Sequence, residues 1–190
     1  LLPETVSLVA GTVGVAGKTL HDVVLGASRL GGFWRANVRA REIDGYFSWR
    51  QAARGQAQGT LMARFARLEI PRDRIGEFET LLDTTPESLP ALDVVAEDLI
   101  LNDRRLGALE LRAVNSGSAA APVWQVQQLR IRNAAATLSA SGSWQTRPGA
   151  VRRATAMDFE LEMRDAGGVL TLFGFRDTLR GALFPASAVQ

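Results

Sequence analysis

The chain has 190 residues, 46% of them hydrophobic and 22% charged, with a formal net charge of +2. That is a globular composition, long enough to bury a core and too apolar to remain disordered. With no cysteine, His21 as the single histidine, and arginines spread along the chain around one lysine (Lys18), it excludes disulfides and thiolate or multi-histidine metal sites, and it offers no basic patch for nucleic acid.

No run of 18 apolar residues and no signal peptide occurs. The chain also carries no tail-like segment at either end and reads as cut from a longer one. The first strand is expected around Val6 to Val13, unguarded by charge beyond Glu4. Residues 18–27 (KTLHDVVLGA) follow as a second strand. In 33–40 (FWRANVRA), Trp34, Ala36, Val38 and Ala40 share one face and Arg35, Asn37 and Arg39 the other. In 43–49, Ile43, Phe47 and Trp49 oppose Asp44, Tyr46 and Ser48. Strict alternation of this kind marks antiparallel sheet with one apolar and one wet face.

The pattern then changes to helical spacing. Residues 73–83 place Ile75, Phe78, Leu81 and Leu82 on one side, with Asp73 as N-cap. Alternation resumes near Leu99 and runs through 104–113 (RRLGALELRA). In 136–144, Ala136, Leu138, Ala140 and Trp144 face away from Thr137, Ser139, Ser141 and Ser143. In 155–163, Met157, Phe159, Leu161 and Met163 oppose Asp158, Glu160 and Glu162. A second helix is expected over 165–174 behind Asp165, weakened by Gly167 and Gly168.

These elements form an internal repeat. Val13, Val15, Leu20, Val23, Leu25 and Ala27 match Leu99, Leu101, Leu106, Leu109, Leu111 and Ala113 without a gap, at an offset of 86. Trp34 then matches Trp124 after an inserted loop at 115–122, Trp49 matches Trp144, and Leu61, Ala63 and Phe65 match Met157, Phe159 and Leu161. The predicted fold is mostly β with short α. Two β-meander-plus-helix units, 1–88 and 89–190, would share one elongated antiparallel sheet, groove-like or half-barrel, and the second would include the truncated start of a third.

Several stretches resemble a known family. LPALDVVAEDLILNDRRLGALELRA (89–113), WQVQQLRIRNAAATLSASGSW (124–144) and MDFELEMRDAGGVLTLFGFRDTLRG (157–181) look like the C-terminal part of the YhdP family, within the AsmA-like superfamily of Gram-negative envelope proteins. DVVLGASRLGGFWRANVRAREIDGYFSW (22–49) resembles the preceding repeat. The resemblance covers essentially the whole chain, although family members are several times longer and carry an N-terminal transmembrane helix absent here. It implies a periplasmic protein, anchored in the inner membrane, whose long β-groove conducts phospholipid toward the outer membrane. Its motifs are structural, so no catalytic residues carry over.

The candidate site is accordingly a face. Val13, Val23, Leu25, Trp34, Phe47, Trp49 and Leu61 supply it in the first unit. Leu99, Leu109, Leu111, Trp124, Leu138, Trp144, Met157 and Phe159 supply it in the second. The same residues would equally form a closed core under the two helices. No catalytic, metal or cofactor site is expected. Glu97 and Asp98 point to opposite faces, Glu160 and Glu162 lie on a wet face, and GVAGKT (14–19) lacks phosphate-loop spacing. Arg104, Arg105, Arg130 and Arg132 read as solvated sheet-face arginines rather than phosphate ligands. The expected partners are phospholipid, neighbouring repeats of the parent chain, and a second copy meeting it at the sheet edges. The alternative function is a structural or interaction module of the envelope.

Overall fold

A computed structural model describes residues 4–15, 18–52, 59–70, 89–118, 121–145 and 154–172. Ten strands lie side by side in chain order in a single sheet: β1 (Thr5–Val15), β2 (Lys18–Leu30), β3 (Phe33–Arg39), β4 (Ile43–Arg50), β5 (Thr60–Ile70), β6 (Ala91–Leu101), β7 (Arg104–Ser118), β8 (Ala121–Arg132), β9 (Ala136–Gln145) and β10 (Ala154–Met163). A short helix, α1 (Ala166–Leu172), follows. The sheet does not close on itself. The mostly β, open architecture is the one the alternation predicts.

One pairing departs from the expected antiparallel sheet. Every neighbouring pair is antiparallel except β5 and β6, which run parallel from Thr60↔Ala91 to Ile70↔Leu101. The reason lies in chain length. A hairpin returns the chain beside itself in a few residues, whereas a parallel neighbour requires about a dozen or more to come back to the starting end. The chain between Ile70 and Ala91 meets that requirement. The sheet is thus two five-strand meanders, β1–β5 and β6–β10, laid edge to edge.

Local chemistry sets the turns. Asn102 and Asp103, at φ 55 and 62°, close the β6–β7 hairpin under the pair Leu101↔Arg104. Two successive positive φ values make a type I′ turn, and Asn and Asp tolerate that region best after glycine. Gly31 (φ 59°) supplies the single positive φ of the β2–β3 turn. Of the stretch 115–122, expected as an inserted loop, residues 115–118 and 121–122 are instead paired strand at the far end of β7 and the start of β8. Its ladder runs from Asn115↔Trp124 to Ser118↔Ala121. The extra residues lengthen two paired strands and so satisfy their own backbone groups.

The helix at 165–174 forms over Ala166–Leu172. Asp165 is its cap, with Oδ1 accepting from the Gly168 N–H at 3.0 Å. Arg164 and Asp165 donate their backbone N–H groups to the Ala135 carbonyl at 2.8 and 3.1 Å, folding α1 back over the β8–β9 turn toward β7. The helix expected over 73–83 lies outside the described residues.

The strands also bend together. Apolar positions alternate by two until six of the strands skip a residue: Ala10 to Val13, Leu20 to Val23, Phe65 to Leu68, Ala96 to Leu99, Leu106 to Leu109 and Val126 to Leu129 all keep the same inward face at a spacing of three. The register slips between Ala96 and Leu99 and between Val126 and Leu129, and Asp22 (φ 55°) and Gly107 (φ 94°) mark the irregular sites on β2 and β7. Bulges increase local twist, so a row of them on the neighbouring strands β5 to β8 bends that part of the sheet.

Candidate functional site: a continuous apolar face

Register places the predicted face residues together. Trp34 lies across from Trp49, and Trp49 across from Leu61. Leu61 then pairs with Leu92 across the parallel seam, and Leu92 with Ala113. In the second meander Trp124 lies across from Trp144. Leu25, Phe47, Leu111, Leu138, Met157 and Phe159 fall on the same side through their own partners, as does the Val13↔Leu20 pair beyond the bulge. All fifteen candidates occupy one face.

They do not share one environment. Val23, Leu99, Leu109 and Trp144 are buried, while Val13, Leu25, Trp34, Phe47, Trp49, Leu61, Leu111, Trp124, Leu138 and Met157 are half-buried. Phe159, on the edge strand β10, is 67% exposed. Leu99 and Leu109 form the central cluster with Ala96, packed by Phe65, Leu68, Ile70, Leu106, Leu111, Leu129 and Ile131. The face therefore has a closed core at the seam and a more open apolar surface on either side of it.

Alanines form the floor of that surface, a feature the sequence reading passed over. Ala36, Ala63, Ala96, Ala113 and Ala140 are each buried, and each sits across from or beside a larger residue such as Phe47, Leu109, Val126 or Phe159. A short side chain is covered by the stems of its neighbours, while the tips of those neighbours stay accessible. Alternating large and small residues make a lined apolar trough, which accepts flexible hydrocarbon without demanding a specific shape. Trp124 anchors the trough, its indole N–H donating to the Pro90 carbonyl at 2.9 Å.

The other face carries several paired polar and charged side chains. Arg64 and Asp93 meet at 2.9 Å, Arg105 and Asp98 at 2.8 Å, and Arg67 and Glu69 at 2.6 Å, while Gln128 donates to Glu110 at 2.9 Å. Arg105 is thus committed to an acid, and Arg130 and Arg132 lie exposed on this outer side. At the end of the sheet that carries the β3–β4 turn, the His21 backbone N–H and imidazole Nδ1 both reach the Glu42 carboxylate, at 3.0 and 2.6 Å. Burial pushes that carboxyl up, and the hydrogen bonds from the His21 backbone and ring outweigh it, holding Glu42 below its ordinary range. His21 is therefore a structural partner of the β3–β4 turn. Among the described residues no three acidic or histidine side chains converge as a metal site would need.

A family model described as YhdP protein matches residues 1–188. The chain belongs to the YhdP family. No curated protein and no solved structure matches it. The YhdP family is an envelope family of the AsmA-like superfamily and is not known as an enzyme family. Among the described residues no helix is long and apolar enough to cross a membrane. The described residues of this YhdP-family chain present a wide sheet with one apolar side, in which β1 and β10 are the outermost strands.

Proposed function

We propose that the chain is a segment of a periplasmic hydrophobic groove through which phospholipid passes between the inner and outer membranes, its parent protein being anchored in the inner membrane. The observation that carries this reading is the unbroken apolar side from β1 to β10, with half-buried large side chains over a floor of alanine. Acyl chains would lie along that side, across the strands, and head groups would project past the strand ends into water. Membership of the YhdP family supports the same reading.

The edges extend it. β1 and β10 present backbone N–H and C=O groups with no strand neighbour among the described residues, and the β5–β6 seam is a pattern for joining one meander to the next. On this reading the units 1–88 and 89–190 continue a longer sheet formed by neighbouring repeats, or by a second copy at high concentration. Mass spectrometry of the purified chain should find co-purifying phospholipid, and changing Leu111 or Phe159 to Arg should remove it while the fold persists. A lipid-free wild-type chain would leave a structural module of the envelope as the better account.

A further inference from the structure

We propose that the corner formed by the β2–β3 turn and the adjoining ends of β3 and β4 docks onto the surface of an anionic phospholipid bilayer. Three arginines gather there: Arg29 at the end of β2, Arg35 on β3 and Arg50 at the end of β4. Among the described residues none of the three has a carboxylate within ion-pair distance. The contrast within the same sheet is sharp, since Arg39, Arg41, Arg64, Arg67 and Arg105 each face an acid. The acid beside Arg29 on the neighbouring strand is Glu4, and it offers only its backbone carbonyl, 2.7 Å from the Arg29 N–H.

The three guanidiniums lie instead over aromatic rings. Arg29 stands 5.6 Å from the Trp34 ring centre, and Arg35 and Arg50 stand 5.0 and 5.6 Å from that of Phe33. A guanidinium held on a ring can still turn edge N–H groups to an incoming anion, although Arg29 already donates its Nε–H to the Gly31 carbonyl at 3.1 Å. Ser28, Leu30, Phe33, Arg35 and Arg50 line one shallow depression, so two forked donors and a hydroxyl face a common space. Planar forks of this kind suit phosphate oxygens. Beside them Leu30, at the Gly31-Gly32 turn, is 86% exposed.

Cation, ring and projecting aliphatic side chain match the three layers of a bilayer surface. Arginine meets the phosphate level, aromatic rings settle at the head-group boundary, and leucine enters the acyl margin. The opposite end of the same strands lacks this character, because its charges are already spent on one another in His21–Glu42 and Arg41–Asp22. The corner is therefore the one end of β2–β4 where charge favours an anionic surface. Arg29 stands on the trough side over Trp34, whereas Arg35 and Arg50 project from the opposite face, so the contribution of those two does not depend on lipid conduction.

The test is co-sedimentation of the 190-residue chain with vesicles of phosphatidylcholine alone and of phosphatidylcholine mixed with phosphatidylglycerol. Binding is expected only to the mixed vesicles and should weaken with salt. Replacing Arg29, Arg35 and Arg50 together with Gln should lower partitioning about a hundredfold, at about fivefold for each arginine near an anionic surface. Leu30→Ser should lower it further. Should the triple variant melt early, Arg35→Gln and Arg50→Gln singly, both at exposed positions, should each cost about fivefold. The double change Arg130→Gln with Arg132→Gln removes two exposed charges elsewhere and should stay near wild type. Equal binding to neutral vesicles, no binding to either kind, or an equal loss in the Arg130/Arg132 control would overturn the proposal. Lipid co-purifying with the Arg35→Gln and Arg50→Gln variants, both changed on the face opposite the trough, should be unchanged, which separates this outcome from a failure of the groove.

Discussion

Arg64 on β5 holds Asp93 on β6 twice, across the one parallel pair in the sheet: its guanidinium meets the carboxylate at 2.9 Å and donates to the Asp93 carbonyl at 2.9 Å. A further bond to the Ala63 carbonyl, at 2.8 Å, fixes the fork against its own strand. Parallel ladders have slanted bonds and are slightly less stable than antiparallel ones, so a side chain that clasps the backbone of the next strand has particular value here. Both side chains are about a third exposed, 32 and 34%, which weakens the charge contribution by solvent screening. A double-mutant cycle of Arg64→Met and Asp93→Asn in urea should give a coupling of about 1 kcal/mol. A coupling of zero would mean that the charge pair adds nothing to backbone pairing and apolar packing at the seam.

The bulge on β7 depends on Gly107. Its φ of 94° is open to glycine and strained for other residues, and a Cβ there would strike the Arg132 carbonyl on β8. Gly107→Ala should therefore destabilise the chain by about 2 kcal/mol or more. Asp22 on β2 provides a control: its φ is 55°, and its pair with Arg41 is exposed at both ends, 72 and 66%. Asp22→Gly should be close to neutral or slightly stabilising. Thermal melts of the two variants side by side test whether the irregularity is built into the sheet or incidental to it.

Much of this fold was legible because strand chemistry is local. The alternation in 33–40, 43–49, 136–144 and 155–163 marked β3, β4, β9 and β10, and the cap residue Asp165 marked α1. The matched tryptophans even foreshadowed the two cross-strand pairs, Trp34↔Trp49 and Trp124↔Trp144. The parallel seam was not legible, because β5 and β6 expose the same apolar and polar rows whichever way they run. The bulges did leave a trace: apolar spacing of three, as in Ala96 to Leu99, interrupts a period of two. Arg29 left one too, since it occupies the apolar phase of β2 after Val23, Leu25 and Ala27. Burial was the least readable property. Leu109 and Leu111 look alike in sequence, yet the first is sealed at the seam and the second is half open.

The Glu42 carboxylate predicts an acid-sensitive turn. Its folded value is lowered from an ordinary 4.5 by hydrogen bonds from the His21 backbone and ring, against the opposing effect of burial. A depressed carboxyl contributes stability above its unfolded value, and that contribution is lost as pH falls through the folded value. Glu42→Gln should cost about 1–2 kcal/mol at neutral pH. The gap between variant and wild type should narrow as pH drops below 4.5. Urea midpoints at several pH values check this, and a gap that stays constant into acid would remove Glu42 as the source.

Leu109 and Leu111 separate core from trough. Leu109 is 8% exposed inside the cluster with Ala96 and Leu99. An arginine there has no acid to meet and no short way to water, so Leu109→Arg should cost several kcal/mol and abolish a cooperative melt. Leu111 stands two residues on, half-buried against the same cluster. Its tip has a path to the open part of the face, and an arginine stem can cover apolar surface while its head reaches solvent. Leu111→Arg should therefore keep a cooperative transition, shifted by about 1–2 kcal/mol. If the apolar side carries acyl chains, this variant should also lose its co-purifying lipid. Identical collapse of both variants would mean that the face is closed at Leu111 as well, and the groove would have to lie elsewhere on the sheet.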